Sequence, residues 1–330
     1  MNIAVDAMGG DNAPYEIVKG VLEASFENKD FNITLIGDKN KILDCADKIG
    51  TSIPSNIQII HTEDFITMDD DPMLIMKEKS ESSMAIGLKM LKAGEVDGFV
   101  SAGSTGALHT GSTLLVRKIK GIRRSAIASV LPFKTPLLLL DSGANPTVTA
   151  EILLQWSIIS TVYMKKMFGI ENPRVGLLNN GTEECKGTPT VVEAYGLLKN
   201  QQNINFVGNV EAREIMNSVC DIVVTDGFTG NIALKLTEGM GKFILKKLKK
   251  SFIASLRTKI GYLFMRKELK NLRKDFDASE FGGAPLLGLR KPVVKAHGSS
   301  KSKEIRIAIK QTAEYASSGI IGEVEKELNI

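Results

Sequence analysis

The chain has 330 residues, of which 43% are apolar and 24% charged, the proportions of an ordinary globular protein. No apolar run approaches the ~18 residues needed to cross a bilayer, and the start of the chain lacks the basic segment and long apolar run of a secretory signal. Its three cysteines are odd in number and widely spaced, which argues against a disulfide framework or a zinc site and favours a reducing cytoplasm.

Short apolar runs alternate with helix-like stretches along most of the chain. Strands are predicted at Ile3–Asp6, Ile33–Gly37, Ile57–His61, Gly98–Ser101, Ser125–Leu131, Leu137–Asp141, Arg174–Asn179 and Asp221–Thr225. Helices are predicted at Tyr15–Phe26, Ser82–Lys92, Thr147–Phe168 and Thr190–Lys199. Most strand runs are continuously apolar, which is typical of parallel strands covered on both faces. The alternation predicts a single three-layer α/β/α domain over residues 1–330.

One connection departs from this alternation. The runs at 125–131 and 137–141 are joined by the sequence Pro-Phe-Lys-Thr-Pro at 132–136, which is too short for a crossover helix. These two strands are therefore predicted to form an antiparallel hairpin, so that the mostly parallel sheet is mixed.

Positive charge is concentrated in one part of the chain. Residues 242–274 hold twelve lysines and arginines against one acid, Glu268, whereas the net charge of the whole chain is only +4. Apolar residues spaced by three or four place one apolar stripe along the predicted helices of residues 231–274, with lysines on the other face. We predict a projecting basic helical hairpin, with the apolar run 260–264 at or near the break between its helices. The residues predicted to contact a partner are Lys246, Lys250, Arg257, Tyr262, Leu263, Phe264 and Arg266.

The partner of this hairpin is left open by the residues alone. An anionic membrane surface suits the apolar run flanked by basic residues, and an acidic protein or a second subunit suits the basic and apolar faces. Nucleic acid is disfavoured, because neither a known binding motif nor a series of stacking aromatic residues accompanies the charge.

One local pattern occurs four times, at 96–111, 137–151, 175–190 and 221–231. In each, an apolar strand opens into a turn rich in Gly, Ser, Thr or Asn, and a helix-like run follows. Such turns leave backbone N–H groups free at a helix N-terminus, where the helix dipole favours an anion. Ligands of open α/β sheets bind outside the carboxyl ends of the strands. The four turns therefore predict one site for a phosphate-like ligand.

The familiar catalytic motifs are missing from the sequence. It contains no Walker A, GxSxG, HExxH or GxGxxG pattern and only three histidines. The candidate residues instead lie in the polar turns, although each turn taken singly is more often structural. For binding phosphate or substrate they are Asp6, Gly9, Gly10, Ser101, Ser104, Thr105, Gly106, Thr229, Gly230, Ser299 and Ser300, and for catalysis they are Lys186, Asp226, Asn231 and His297.

Seven ordered blocks together resemble one family. They are DAMGGDNAP (6–14), MDDDP (68–72), SSMAIGL (82–88), DGFVSAGSTGAL (97–108), DSGAN (141–145), TDGFTGNIALKLTEG (225–239) and GGAPLLGLRKPVVKAHGSS (282–300). The chain resembles the bacterial phosphate acyltransferases of phospholipid synthesis (PlsX family) nearly end to end, and its later blocks also resemble the phosphate acetyltransferases.

The resemblance implies both a reaction and a setting for it. The reaction transfers a long-chain acyl group from acyl-[acyl-carrier protein] to inorganic phosphate and yields acyl phosphate and free carrier. The implied fold is a phosphotransacylase-like sheet, related to that of isopropylmalate dehydrogenase, in a homodimer loosely associated with the membrane from the cytoplasm. No metal or nucleotide cofactor is implied, and the product passes to a membrane-bound glycerol-3-phosphate acyltransferase.

The candidate residues suit this chemistry, because phosphate must be held and aimed at a thioester carbonyl while the developing oxyanion is stabilised. The turns at 101–106 and 225–231 are predicted to cradle the phosphate. Lys186 is predicted to supply a cation and Asn231 a neutral donor. His297, with the two serines that follow it, is predicted to close the site. Asp226 is a candidate base, although dianionic phosphate hardly needs one.

Three alternatives stay open at this stage. Cys185 stands in a block that departs from the family pattern, together with Asn180, so an acyl–cysteine intermediate competes with direct attack by phosphate. A decarboxylating dehydrogenase would need metal-binding aspartates, but the Asp69–Asp71 cluster stands without the rest of such a site. A non-enzymatic membrane adaptor would not need the polar turns that this chain retains.

Overall fold

The structure is a computed structural model that describes residues 1–28, 31–133, 135–274 and 281–328. At residues 256 and 270–274 it describes the backbone but not the side chains. The strands are β1 Asn2–Asp6, β2 Asn32–Gly37, β3 Ile57–His61, β4 Gly98–Ser101, β5 Ala126–Leu131, β6 Leu137–Leu140, β7 Arg174–Asn179, β8 Asn205–Glu211, β9 Ile222–Val224, β10 Ala284–Leu287 and β11 Val293–Lys295. The α-helices are α1 Tyr15–Glu27, α2 Lys39–Ile49, α3 Ser83–Ala93, α4 Thr105–Gly111, α5 Ala150–Phe168, α6 Pro189–Lys199, α7 Gly227–Phe252, α8 Leu256–Lys274, α9 Ser302–Ser317 and α10 Ile320–Glu327.

All of these strands join one sheet, in the order β3-β2-β1-β4-β11-β10-β5-β6-β9-β7-β8. The strands β1 to β4 and β11 are parallel to one another, whereas β6 to β9 are parallel to one another in the opposite direction. The direction reverses because three successive strand pairs are antiparallel: β11 with β10, β10 with β5, and β5 with β6 in the hairpin. The predicted mixed sheet and hairpin are confirmed; residue 134 of the hairpin turn lies outside the described residues.

The reversal places strand ends at two different edges of the sheet. The upper edge is the one where β1, β4 and β11 end, and the lower edge is the one where β6, β7 and β9 end. Of the four polar turns, those after β6, β7 and β9 lie at the lower edge, while the turn after β4 lies at the upper edge. The turns at 101–106 and 225–231, which are predicted to cradle one phosphate, thus follow strands that end at opposite edges of the sheet.

Helices cover both faces of the sheet. One core surrounds α5, whose Trp156 is fully buried and donates its indole N–H to the carbonyl of Arg124 at 2.9 Å. A second core lies between α1, α2 and α9 and the strands β1, β2 and β11, and a third lies under α3 and α4. A smaller cluster lies beneath the first turns of α7. The continuously apolar strands are buried on both sides, as their sequence predicts.

Several elements escaped the sequence prediction for identifiable reasons. The strands β10 and β11 have only four and three residues, and β10 contains Pro285. The helix α2 is largely polar, and its buried residues are Ile42, Cys45 and Ala46. The strand β8 is interrupted by Gly208, whose φ of +95° accompanies a register shift against β7. The helices α9 and α10 follow the last recognised block and were also missed.

The predicted helical hairpin is confirmed, but its break is elsewhere. The helices α7 and α8 are separated at residues 253–255, so the apolar run 260–264 lies within α8 rather than at the break. The two helices meet where the rings of Phe252 and Tyr262 have centroids 5.8 Å apart. Among the described residues, no helix combines the length and apolar character that crossing a bilayer requires.

Candidate functional site

The turn after β6 is organised by the buried carboxylate of Asp141. Its two oxygens accept hydrogen bonds from the backbone N–H groups of Ile127, Gly143, Ala144 and Asn145 and from the Asn145 side chain, at 2.7–3.2 Å. A carboxylate satisfied by so many donors is held firmly, and it shapes the 141–145 turn from within. Asp141 was not among the predicted site residues, although the DSGAN block contains it.

The 141–145 turn is in direct contact with the first residues of α7. The N–H of Gly227 donates to the carbonyl of Asn145 at 2.7 Å. A Cβ atom at Gly230 would lie 1.9 Å from the carbonyl oxygen of Asp141, so the contact requires glycine at that position. The first turn of α7 is thereby fixed against the end of β6.

Asp226 acts as the N-cap of α7 in this structure. Its carboxylate accepts from the backbone N–H of Thr229 at 2.8 Å and from the Thr229 hydroxyl at 2.9 Å. Such a cap satisfies an otherwise unpaired helix N–H. The side chains of Asp226 and Thr229, both predicted site residues, are thus engaged with each other in the helix cap.

Asn231 follows in the first turn of α7 and is half-buried beside Gly143. A Cβ atom on Gly143 would lie 3.5 Å from the Asn231 amide carbon, so the two turns are in contact there. No hydrogen bond joins the Asn231 side chain to another described residue. The amide therefore retains donor and acceptor capacity for a ligand at the N-terminus of α7.

Lys186 lies in the turn after β7, the strand beside β9. The turn is anchored by two asparagine amides: Asn179 donates to the carbonyl of Lys186 at 2.9 Å, and Asn209 donates to the carbonyl of Glu183 at 2.8 Å. The lysine side chain is exposed, and within the described residues its ammonium forms no ion pair or hydrogen bond. The backbone of Lys186 is thus held while its charge stays available to an anion.

Cys185 is exposed beside Lys186, while the other two cysteines are buried. If the chain catalyses the acyl transfer that the resemblance implies, direct attack by phosphate needs no thiolate, and we expect Cys185→Ala to retain turnover to within ~3-fold. Steady-state release of the acyl carrier measures this. A folded variant without activity would support the acyl–cysteine intermediate instead.

The upper edge holds a second set of predicted residues around Asp6, the last residue of β1. The buried Asp6 carboxylate accepts from the hydroxyls of Ser83 and Ser101, both at 2.7 Å, and from the N–H of Met8 at 3.1 Å. Burial raises the pKa of Asp6, and these hydrogen bonds oppose that rise. Ser83 was not among the predicted site residues, because nothing in the sequence pattern indicates its contact with Asp6.

The glycines of this edge allow the turns after β1 and β4 to touch. A Cβ atom on Gly9 would lie 2.7 Å from the backbone nitrogen of Gly103, and Gly10 has a φ of +106°. The hydroxyl of Ser101 donates to the Asp6 carboxylate and accepts from the N–H of Gly103. The hydroxyl of Ser104 accepts from the N–H of Ala107 and caps α4. These serines shape the turn, whereas Thr105 and Gly106 are exposed.

The geometry around His297 identifies which ring nitrogen accepts a hydrogen bond. The backbone N–H of Ser299 lies 3.2 Å from Nδ1, and the Ser299 hydroxyl lies 2.8 Å from the same atom. Because a backbone N–H can only donate, Nδ1 is the acceptor and Nε2 carries the proton. His297 thus presents an exposed Nε2–H donor. The buried hydroxyl of Ser300 beside it has no hydrogen-bond partner among the described residues.

His109 links α4 to the lower edge and was not predicted as a site residue. Its Nε2 lies 3.3 Å from the carbonyl and 3.2 Å from the hydroxyl of Ser125, whose carbonyl also accepts from Asn145. Burial lowers the pKa of His109, so this ring is neutral near pH 7. No sequence signal distinguishes it from an ordinary helix residue.

The predicted residues thus form two groups. The lower-edge group contains Lys186, Asp226, Thr229, Gly230 and Asn231, and the upper-edge group contains Asp6, Gly9, Gly10, Ser101, Ser104, Thr105, Gly106, His297, Ser299 and Ser300. The groups lie at opposite edges of the sheet, and β10 and β5 separate β11 of the upper-edge group from β6, which is about 14 Å across the sheet at the spacing of neighbouring strands. One small phosphate ligand does not span that distance.

The fold belongs to the phosphotransacylase class. A phosphotransacetylase from Streptococcus pyogenes aligns with a TM-score of 0.66 at 19% identity, over 96% of this chain and 94% of that chain. The EutD phosphotransacetylase from Staphylococcus aureus aligns with a TM-score of 0.61 at 17% identity, over 96% and 94%. At such identities the likeness shows the fold alone, and it confirms the predicted fold class.

Sequence comparison shows the family. The family model described as "Fatty acid synthesis protein" matches residues 1–323. The phosphate acyltransferase of Thermoanaerobacterium thermosaccharolyticum is 45% identical over 331 aligned positions, which cover 100% of this chain and 97% of that protein. The chain therefore belongs to the phosphate acyltransferase family, as the seven blocks predicted, and the dehydrogenase alternative is wrong.

Proposed function

We propose that the protein transfers a long-chain acyl group from acyl-[acyl-carrier protein] to inorganic phosphate, giving acyl phosphate for phospholipid synthesis. The relatives named phosphate acyltransferase support the reaction class. The observation that carries the proposal is the lower-edge group, in which an exposed, unpaired lysine follows β7 and an unpaired asparagine amide lies in the first turn of α7, the helix that follows the adjacent strand β9. Dianionic phosphate matches a cation, a neutral donor and a helix N-terminus.

In the proposed reaction a phosphate oxygen attacks the thioester carbonyl. A C–O bond forms, the C–S bond breaks, and the sulfur leaves with its electron pair and takes up the proton that hydrogen phosphate gives up, which yields the carrier's thiol and a dianionic acyl phosphate. Lys186 orients the phosphate, and Asn231 donates to charge that develops in the transition state. No base is required, because dianionic phosphate has unprotonated oxygens, in keeping with the engaged carboxylate of Asp226. The Nε2–H of His297 supplies a further donor toward the thioester.

The separation of the two groups suggests how the site is completed. The exposed face of α7 carries Phe228, Ile232, Leu236 and Met240, four residues apart, beginning beside the lower-edge group. An apolar stripe of this length marks a contact surface. We propose that a second copy of the chain covers it in a homodimer and brings its own upper-edge group to the lower-edge group.

The basic hairpin is proposed to hold this dimer at an anionic membrane surface. The side chains of Leu263 and Phe264 are 68% and 83% exposed, and lysines and arginines surround them on α7 and α8. Apolar residues that enter the headgroup region and basic residues that remain above it suit peripheral binding. The same basic face suits an acidic carrier protein, and the location suits delivery of acyl phosphate to a membrane glycerol-3-phosphate acyltransferase.

We expect the double substitution of Leu263 and Phe264 by glutamate to lower binding to anionic vesicles by ~10-fold or more, because it removes apolar burial and adds repulsion. Vesicle co-sedimentation at constant ionic strength measures this. Val207→Glu, at an exposed apolar site on β8, is the matched control and should bind as the wild type. Unchanged binding of the double variant would rule out insertion of this segment.

The proposed reaction is tested by incubating the protein with palmitoyl-[acyl-carrier protein] with and without inorganic phosphate. Release of free carrier should depend on phosphate, and hydroxylamine should trap the acyl product as a hydroxamate. Release without phosphate would indicate a thioesterase, and no release would favour an adaptor without enzymatic activity.

A further inference from the structure

Lys295, the last residue of β11, is buried with 8% of its surface exposed. Its ammonium donates to the carbonyl of Ala102 at 3.1 Å and also to the carbonyl of Ala296. Ala102 belongs to the turn after β4, and Ala296 precedes His297. One buried side chain thus joins the two turns that form most of the upper-edge group.

The sheet register places this lysine in a row with the buried carboxylate. Val5 pairs with Val100 and Ser101 pairs with Lys295, so Asp6, Ser101 and Lys295 occupy one level at the ends of three adjacent parallel strands. Asp6 is tied to Ser101 by a 2.7 Å hydrogen bond. The row therefore has an acidic side chain at one end and a basic side chain at the other, and the hydroxyl of Ser101, which donates to Asp6, lies on the strand between them.

We propose that Lys295 is a positioning residue, which locks the turn after β4 to the turn that carries His297 and so aims the Nε2–H of that ring at the substrate. This inference rests on the proposed acyl transfer. Lys295 touches main-chain carbonyls rather than reacting atoms, so its effect on the reaction passes through the backbone. A misplacement of about 1 Å at a donor is enough to cost ~10²-fold in rate.

The charge state of Lys295 links this role to pH. Burial lowers the pKa of Lys295 to about 8, although Asp6 and Asp11 act in the opposite direction. Above that pH the neutral amine loses its attraction to the Asp6 carboxylate, and both hydrogen bonds to carbonyls weaken, since charge-assisted bonds are roughly twice as strong as neutral ones. Turnover should therefore fall as the pH rises through about 8.

The contribution of Lys295 to folding stability depends on pH in the opposite direction to its effect on turnover. The unfolded chain holds the proton up to the ordinary value of 10.5, so between about 8 and 10.5 the unfolded state binds more protons than the folded state. Stability from this group therefore rises with pH in that window. An alkaline loss of turnover that originates at Lys295 is thus distinguishable from unfolding, because Tm does not fall with it.

The test measures kcat and KM for phosphate from pH 6 to 9.5, with Tm at each pH, in the wild type, Lys295→Met and Lys295→Arg. Lys295→Met should lower kcat by ~10²-fold at neutral pH with little change in KM for phosphate. Lys295→Arg should restore most of kcat and shift the alkaline decline upward, because guanidinium stays charged. Lys291→Met, two residues before the start of β11, is the control and should behave as the wild type.

Two results would overturn the inference. One is a wild-type kcat that stays flat to pH 9.5, which requires no variant to fold. The other is a folded Lys295→Met with unchanged kcat. Either leaves phosphate-dependent acyl transfer intact, whereas a wild type without phosphate-dependent release would instead reject the proposed function itself.

Discussion

Substitution of Lys186 by alanine is expected to lower turnover by ~10²-fold or more, as loss of a preorganised transition-state donor does. The turn that carries Lys186 is held by Asn179 and Asn209, so the backbone of Lys186 is positioned in advance, and no described residue neutralises its ammonium. Asn231→Ala should have an effect of the same order, because its amide stands unpaired at the N-terminus of α7. Carrier release at saturating phosphate measures both.

A matched control separates this role from general electrostatics. Lys199 lies on the neighbouring α6 and is paired with Glu184 at 2.7 Å on the surface. Lys199→Ala removes the same charge from the same part of the molecule and should leave turnover within ~3-fold, since exposed ion pairs contribute little. Near-normal turnover of folded Lys186→Ala would remove this lysine from the site.

The second large effect is expected in mixed dimers. Lys186→Ala breaks the lower-edge group and His297→Ala breaks the upper-edge group, so each homodimer should be nearly inactive. If each site combines the lower edge of one chain with the upper edge of its partner, a purified heterodimer of the two variants has one intact site and one doubly broken site. It should then show about half of the wild-type specific activity.

The measurement uses two differently tagged chains that are co-expressed and purified over both tags. A heterodimer as inactive as its parents would show that each site lies within one chain. A heterodimer that carries both substitutions in one chain and none in the other provides the control, because it should show about half the activity under a single-chain arrangement and none under the shared one.

The sequence predicted the fold where burial leaves a strong pattern. The strands from β1 to β7 are mostly apolar runs, and they were found to within one or two residues. The strand β10 contains Pro285, and β11 has only three residues, so neither leaves such a pattern. Their pairing depends on the remote strands β4 and β5, and such long-range pairing is not encoded in any local window.

Whether the candidate residues form the catalytic site stays a prediction, and their arrangement across the sheet was not predicted. The polar turns identify Lys186, Asn231 and His297 correctly as surface features at strand ends, yet the spacing of the turns contains no information on strand direction. The predicted hairpin at 125–141 already implied a reversal of every strand that pairs beyond it. Only the observed order of the sheet shows which turns that reversal separates.

The residues that hold the turns were the hardest to predict. Asp141 and Lys295 both lie inside recognised blocks, but their importance comes from burial and from hydrogen bonds to the backbone. Most aspartates and lysines in proteins are exposed, so the residue types alone favour a surface position. Their role becomes visible only when the partners around each charge are known.

The most direct test of acyl transfer to phosphate uses palmitoyl-[acyl-carrier protein] and phosphate labelled with ¹⁸O at every oxygen. Mass spectrometry of the intact product reads where the label goes. Attack by a phosphate oxygen on the thioester carbonyl predicts an acyl phosphate that retains all of the phosphate label, formed in equal amount with free carrier. Free palmitic acid without label and without acyl phosphate would contradict it, because water rather than phosphate would then be the acceptor.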